Sequence, residues 1–146
     1  MLLSYRSRSE KELQERLKKK GFSGQHIAAT LKYMKQAGHL DDHALALDLK
    51  RQAFNNKLLG HNRAKIFLLD RGVPDEIVIT ALTYDEETEA QKIQKLIDKK
   101  LKTMGDCADN KKKKKLWDFL VRKGYSYNTI RNAFHRLNQV GEEECY

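Results

Sequence analysis

The chain has 146 residues, of which 40% are hydrophobic and 34% charged, with a single proline and a net charge of +9. No apolar run approaches the roughly 20 residues that a membrane-crossing helix needs, and the only β-branched run, Ile77-Val78-Ile79, follows a proline that suits the first turn of a helix. What is left is an assembly of amphipathic helices with short connections, and a partner or solvent role for the excess of positive charge.

The first helix has an explicit start. Ser9 followed by Glu12 makes a capping box, and Leu13 and Leu17 form a buried stripe that ends at Gly21. Ser23 caps a second helix whose apolar face is Ile27, Leu31 and Met34, and Gly38 closes it. Asp41 caps a third, with Asp42 in its first turn and Leu45, Ala46, Leu49 and Ala53 on the inner face. The next helix starts near Gly60, with Asn62 as its expected cap, and ends at Gly72. Pro74 and Asp75 open the following one. Asp85 starts a long helix, with Ala90, Ile93, Leu96, Ile97 and Leu101 at helical spacing, that runs to about Thr103. After a linker over residues 104–110, Asp109 and a lysine run lead into Leu116, Trp117, Phe119 and Leu120, which turn at Gly124. Ser126 caps a last helix bearing Ile130, Ala133, Phe134 and Leu137, and the polar Gly141-Glu142-Glu143-Glu144 tail is expected to fray.

Three of these segments are copies of one unit. Gly21, Gly72 and Gly124 are preceded at the fourth position by Leu17, Leu68 and Leu120, and immediately by Lys20, Arg71 and Lys123. They are followed at the first position by Phe22, Val73 and Tyr125, at the sixth by Ile27, Val78 and Ile130, and at the tenth by Leu31, Leu82 and Phe134. A repeat that keeps its apolar positions while its surface drifts keeps a packing solution. The expected fold is therefore all-α: tandem three-helix repeats in an elongated, curved array. The repeats divide as 1–58, 59–105 and a partial third over 106–146 that lacks its last helix.

Charge is uneven along the chain. Residues 1–40 carry +6, residues 41–90 carry −4 and residues 91–146 carry +7, so both ends suit a polyanion such as nucleic acid, held through its phosphates. Candidate contacts are Lys18, Lys19, Lys20, Arg51, Arg63, Lys65, Arg71, Arg122 and Lys123, which recur near the glycine turns. To these is added the run Lys111, Lys112, Lys113, Lys114 and Lys115, which reads equally as a solvated helix start. Trp117, Phe119, Tyr125 and Tyr127 have the faces on which bases stack, but Tyr125 shares its repeat position with Phe22 and Val73 and is read as packing. Asp41-Asp42 beside His39 and His43 is explained by helix capping, which leaves too few ligands for a metal. There is no phosphate-binding glycine loop and no nucleophile motif, so no catalysis, cofactor or metal is expected. Cys107 and Cys145 lack paired spacing and imply a reducing compartment. No signal peptide is readable at Met1-Leu2-Leu3-Ser4, and a cytoplasmic location follows.

Four strings carry a resemblance to a known family: Ser9-Glu10-Lys11-Glu12-Leu13, Gly38-His39-Leu40-Asp41-Asp42, the stretch from Gly60 to Val73, and Leu120-Val121-Arg122-Lys123-Gly124-Tyr125-Ser126. In this order and spacing the chain resembles the RecX family, bacterial regulators of the RecA recombinase. It departs from that pattern at His39, Leu45, His61, Glu86 and Glu87, while Arg63 and Arg71 keep the basic character of the central motif. The resemblance implies an elongated, curved array of three-helix units, without catalysis, that lies in the groove of the RecA filament on DNA and restrains its activities; the chain is expected to be a monomer.

Overall fold

The computed structural model describes residues 8–105 and 109–144, with side-chain surroundings through residue 138. Cys107, Cys145 and the Met1–Ser4 stretch lie outside those residues. The described chain is helical throughout, with no strand: α1 (Glu10–Lys19), α2 (Gly24–Gln36), α3 (Asp42–Arg51), α4 (His61–Asp70), α5 (Asp75–Ala81), α6 (Glu86–Thr103), α7 (Asp109–Arg122) and α8 (Tyr127–Glu144). A π-helical turn, Gln52–Asn56, which the apolar spacing does not foretell, continues α3.

The three repeated glycines end their helices by one device. At each, the residue after the glycine donates its N–H to the leucine carbonyl five positions back: Phe22 to Leu17, Val73 to Leu68 and Tyr125 to Leu120, at 3.2 to 3.3 Å. The glycine N–H donates to the carbonyl three back, and φ is +90°, +82° and +94° at Gly21, Gly72 and Gly124. This is the Schellman turn, whose left-handed residue favours glycine because it has no Cβ to meet the following carbonyl. Ser23 and Ser126 then cap the next helix two residues later, and Pro74 takes that place in the middle copy without a side-chain cap. The repeated apolar positions Ile27, Val78 and Ile130 are all buried.

Packing divides the chain into two compact units. The first comprises residues up to 52 together with 65–83, and the second comprises residues 53–64 and those from 84 onward. The boundary thus falls inside α4, between Ala64 and Lys65. In the first unit α1 packs on α2 and α3 on α5, with Leu13, Ile27, Leu31 and Leu40 forming one cluster and Leu17 and Met34 at its edge. In the second, α6, α7 and α8 pack together around Ile93, Leu96, Ile97, Leu116, Leu120, Tyr125, Ile130 and Ala133.

Three expectations need correction. Asn62 cannot cap α4, because the helix begins at His61 and Asn62 already lies in its first turn. Leu101 closes the apolar spacing of α6 yet is 39% exposed, since the cluster ends a turn earlier. The backbone from Gly141 to Glu144 does not leave the helix: α8 runs on to Glu144. No further helix follows among the described residues.

Candidate functional site

In the first unit, the start of α1 sits on the glycine turn that ends α4. A Cβ on Gly72 would fall 2.5 Å from Ser9 Oγ and 3.0 Å from Lys11 Cβ, so the absent side chain is what lets the two segments touch. Glu12 works in two directions: its Oε1 accepts from the Ser9 N–H at 3.0 Å, completing the capping box, and its Oε2 accepts from Arg71 Nε at 3.1 Å. Both side chains are over four-fifths buried. Asp42, at the start of α3, accepts from the Glu10 N–H at 3.0 Å, so a carboxylate from another helix satisfies an amide that α1 leaves open. Burial raises the pKa of Asp42, opposed by that hydrogen bond. Glu12 and Arg71 answer each other at this junction.

The second unit repeats the backbone arrangement. A Cβ on Gly60 would lie 2.4 Å from the Gly124 carbonyl carbon, one on Gly124 would lie 2.3 Å from Arg63 Cβ, and the Gly60 N–H donates to the Lys123 carbonyl at 2.7 Å. Again a carboxylate caps the incoming helix, Glu89 on α6 accepting from the His61 N–H at 3.1 Å. Glu89 is buried and pairs with buried Lys92, whose Nζ also donates to the Leu59 carbonyl at 2.8 Å and lies 3.3 Å from the centre of the Phe54 ring. The connector before α4 is held on every side. Leu58 takes a left-handed φ of +51°, and its carbonyl accepts from the Tyr125 hydroxyl at 2.7 Å. Burial, and secondarily the charge of Glu89, push the Tyr125 phenol well above its ordinary pKa.

The side chains at the two junctions differ in sign. Arg63 is the repeat counterpart of Glu12, and Lys123 is the counterpart of Arg71. Where the first junction carries an ion pair, the second carries two cations. Lys123 Nζ donates to the Lys57 carbonyl at 3.3 Å and lies 5.7 Å from the centre of the Phe119 ring, while Lys100 Nζ lies 4.6 Å from the same ring.

Among the other candidates, Lys18, Lys19 and Lys20 are exposed on the last turn of α1 and its cap, and Lys65 is exposed on α4. Arg51 is exposed but tied to Asp48 at 3.0 Å. Lys111, Lys113, Lys114, Lys115 and Arg122 are exposed along α7, and Lys112 is half-buried. The structure therefore sets Arg63 against the Gly124 turn that follows Lys123 and takes Arg71 into an internal pair. Of the aromatics, Tyr125 is core. Trp117 is half-buried, stacked on Phe134 at 5.6 Å and edge-on to Tyr127 at 5.3 Å, Phe119 packs at the core edge, and Tyr127 remains 64% exposed. Asp41 accepts from the His43 and Ala44 amides as the cap of α3.

Sequence reasoning passed over Asp42 as a distant cap, and over Glu89, Lys92 and Lys100. Glu89 could have been found, because it stands in register with Ile93 and Leu96 on the apolar stripe of α6, where a charge requires a partner. Nothing in the sequence ties Lys100 to Phe119. Among the described residues no helix is long and apolar enough to cross a membrane.

Similarity to known proteins follows the same lines. The family description "RecX, first three-helix domain" matches residues 1–34, and "RecX, third three-helix domain" matches residues 87–134, which take in most of α6, all of α7 and much of α8. A Chlorobaculum tepidum protein named "Regulatory protein RecX" is 34% identical over 99% of this chain and 87% of its own length. One of the same name from Oceanobacillus iheyensis is 31% identical over 97% of this chain, which spans 53% of that longer protein. The crystal structure of RecX from Lactobacillus salivarius superposes with a TM-score of 0.81 at 24% identity, covering 94% of this chain and 90% of that one. With this likeness over nearly its whole length, the chain belongs to the RecX family of regulatory proteins.

Proposed function

We propose that this protein binds the RecA–DNA filament in the cytoplasm and lowers the recombinase and ATPase activity of RecA, acting as a monomer and without catalysis of its own. Recombination, DNA repair and the SOS response are the processes such a brake would modulate. The observation that carries this reading is the likeness to a named regulatory protein along 99% of the chain. The charge agrees with it: Lys18, Lys19, Lys20, Arg63, Lys65, Lys111, Lys113, Lys114, Lys115 and Arg122 are exposed cations, suited to contacts with a phosphate backbone that carry no sequence preference.

The test is DNA-stimulated ATP hydrolysis by RecA with this protein in excess over the filament. The expected result is a fall in hydrolysis that deepens with the protein-to-RecA ratio. Unchanged hydrolysis alongside salt-dependent binding to bare DNA would instead make the chain a general DNA-binding helical module, with no RecA contact.

A further inference from the structure

Two junctions share one backbone design, but one is closed by an ion pair and the other carries two cations, which raises a physical question: what neutralises the second? At the Gly72 turn, Arg71 is answered by Glu12. At the Gly124 turn the corresponding positions hold Lys123 and Arg63, and Arg63 makes no ion pair or hydrogen bond among the described residues. Two cations raised on touching backbones make the junction electropositive, and an anion seated there gains from both. The carboxylate that does enter this junction, Glu89, is buried and already occupied by Lys92 and the His61 N–H, so it leaves the outer cations unanswered. Lys123 is also held in place, because its ammonium donates to the Lys57 carbonyl and so keeps two of its three donors for a ligand.

We propose that the Gly60–Gly124 junction is a seat for a nucleic-acid phosphodiester, gripped by Arg63 and Lys123, with Lys100 on the same Phe119 ring as Lys123. The proposal rests on the reading that this chain contacts DNA, and it says where: at the second junction and not at the first. A polymer fits better than a single free ion. The cations of α7 and its terminal turn form two groups, Lys111 to Lys115 and Arg122 with Lys123, whose far ends are about 18 Å apart at 1.5 Å per residue. That is the length of roughly five steps of a strand at 3.4 Å each. Arg63 supplies a planar fork for one phosphate, Lys123 a point charge for the same or the next.

The test is binding of a fluorescent duplex oligonucleotide, measured by anisotropy across a salt series, for Arg63→Gln, Lys123→Gln, the double variant and Arg71→Gln. Each of the first two should reduce the slope of log K against log salt by about 0.9, and the double variant by about twice that. Arg63→Lys should restore most of the slope. Arg71→Gln removes the same charge at an equivalent repeat position and should leave the slope at its starting value, with melting by circular dichroism confirming that each variant is folded. Equal slope losses for Arg63→Gln and Arg71→Gln would reduce the effect to bulk charge and overturn the site. So would a folded Arg63→Gln with an unchanged slope. Inorganic phosphate is the control for a free ion: if it perturbs the Arg63 and Gly124 amide resonances as tightly as the oligonucleotide does, the polymer assignment is lost. Inhibition of RecA is scored separately, so a protein that keeps the slope pattern but leaves RecA untouched loses the filament reading and keeps this site.

Discussion

The Gly72 turn of one unit and the Gly124 turn of the other receive the start of a helix in the same way, with a missing side chain at the contact and a carboxylate from another helix on the first open amide. Asp42 plays that part for α1 and Glu89 for α4. Their side-chain chemistry then diverges. The first junction closes on itself through Glu12 and Arg71, whereas the second buries its ion pair underneath, as Glu89 and Lys92, and turns Arg63 outward. A repeat can thus keep its packing geometry while one copy closes its charges in an internal pair and another leaves Arg63 in solvent.

The largest expected effect breaks the geometric half of this comparison. Alanine at Gly124 must adopt φ of +94° and place its Cβ within 2.5 Å of Arg63 backbone and Cβ atoms, which should cost roughly 4 kcal/mol. Alanine at Gly72 meets Ser9 Oγ, a side chain that can turn aside at the expense of the capping box, and should cost roughly 2 to 3 kcal/mol. At Gly21 no described atom lies within 4 Å, leaving only the backbone penalty of about 1 kcal/mol. Urea unfolding of the three variants measures the order; a Gly21 variant as damaged as the Gly124 one would refute the contact account.

A smaller change sharpens the electrostatic half. Arg71→Gln takes one cationic contact from the mostly buried Glu12 and should lower stability by about 1 to 2 kcal/mol. Arg63→Glu puts at the second junction the acid that the first possesses, opposite Lys123, and should raise stability by about 0.5 kcal/mol while weakening DNA binding. Thermal melts of the two variants in parallel read both signs, and destabilisation by Arg63→Glu would show that the junctions are not electrostatic opposites. Reversing Arg71 together with Arg63 would mix the two effects, since Arg71 belongs to the fold.

The smallest effect lies in the capping carboxylate of the first junction, Asp42. Burial raises the pKa of Asp42 above 3.8, so folding increases its proton affinity. Its contribution favours the folded state most below that value, and the advantage is lost as the pH climbs through 3.8 and then through the elevated value. Asp42→Asn keeps an acceptor for the Glu10 amide and abolishes the titration. Its stability relative to the parent should therefore improve as the pH goes from about 3 to 7, measured by urea unfolding at each pH. A difference that stays flat across that range would dismiss the buried-carboxylate explanation.

Much of this architecture was legible before any coordinates. Glycines, capping serines and aspartates, and apolar spacing act within a few residues of one another, so Ser9, Ser23, Asp41, Asp85 and Ser126 mark true helix starts and the repeat alignment names Ile27, Val78 and Ile130 as core. Asn62 does not cap α4 because the amide at the start of that helix is satisfied by Glu89, a residue 28 positions away, and a local rule cannot see a distant cap. The same limit hid the fate of the cations: Arg63 and Arg71 look alike in sequence, and only the approach of α1 to the Gly72 turn, which delivers Glu12, makes one an internal strut while the other stays in solvent. The sequence by itself determined most helix starts and the three glycine turns, because those are short-range hydrogen-bond and steric choices. Tertiary structure alone decided which charges cancel, because cancellation depends on distances between residues far apart in the chain.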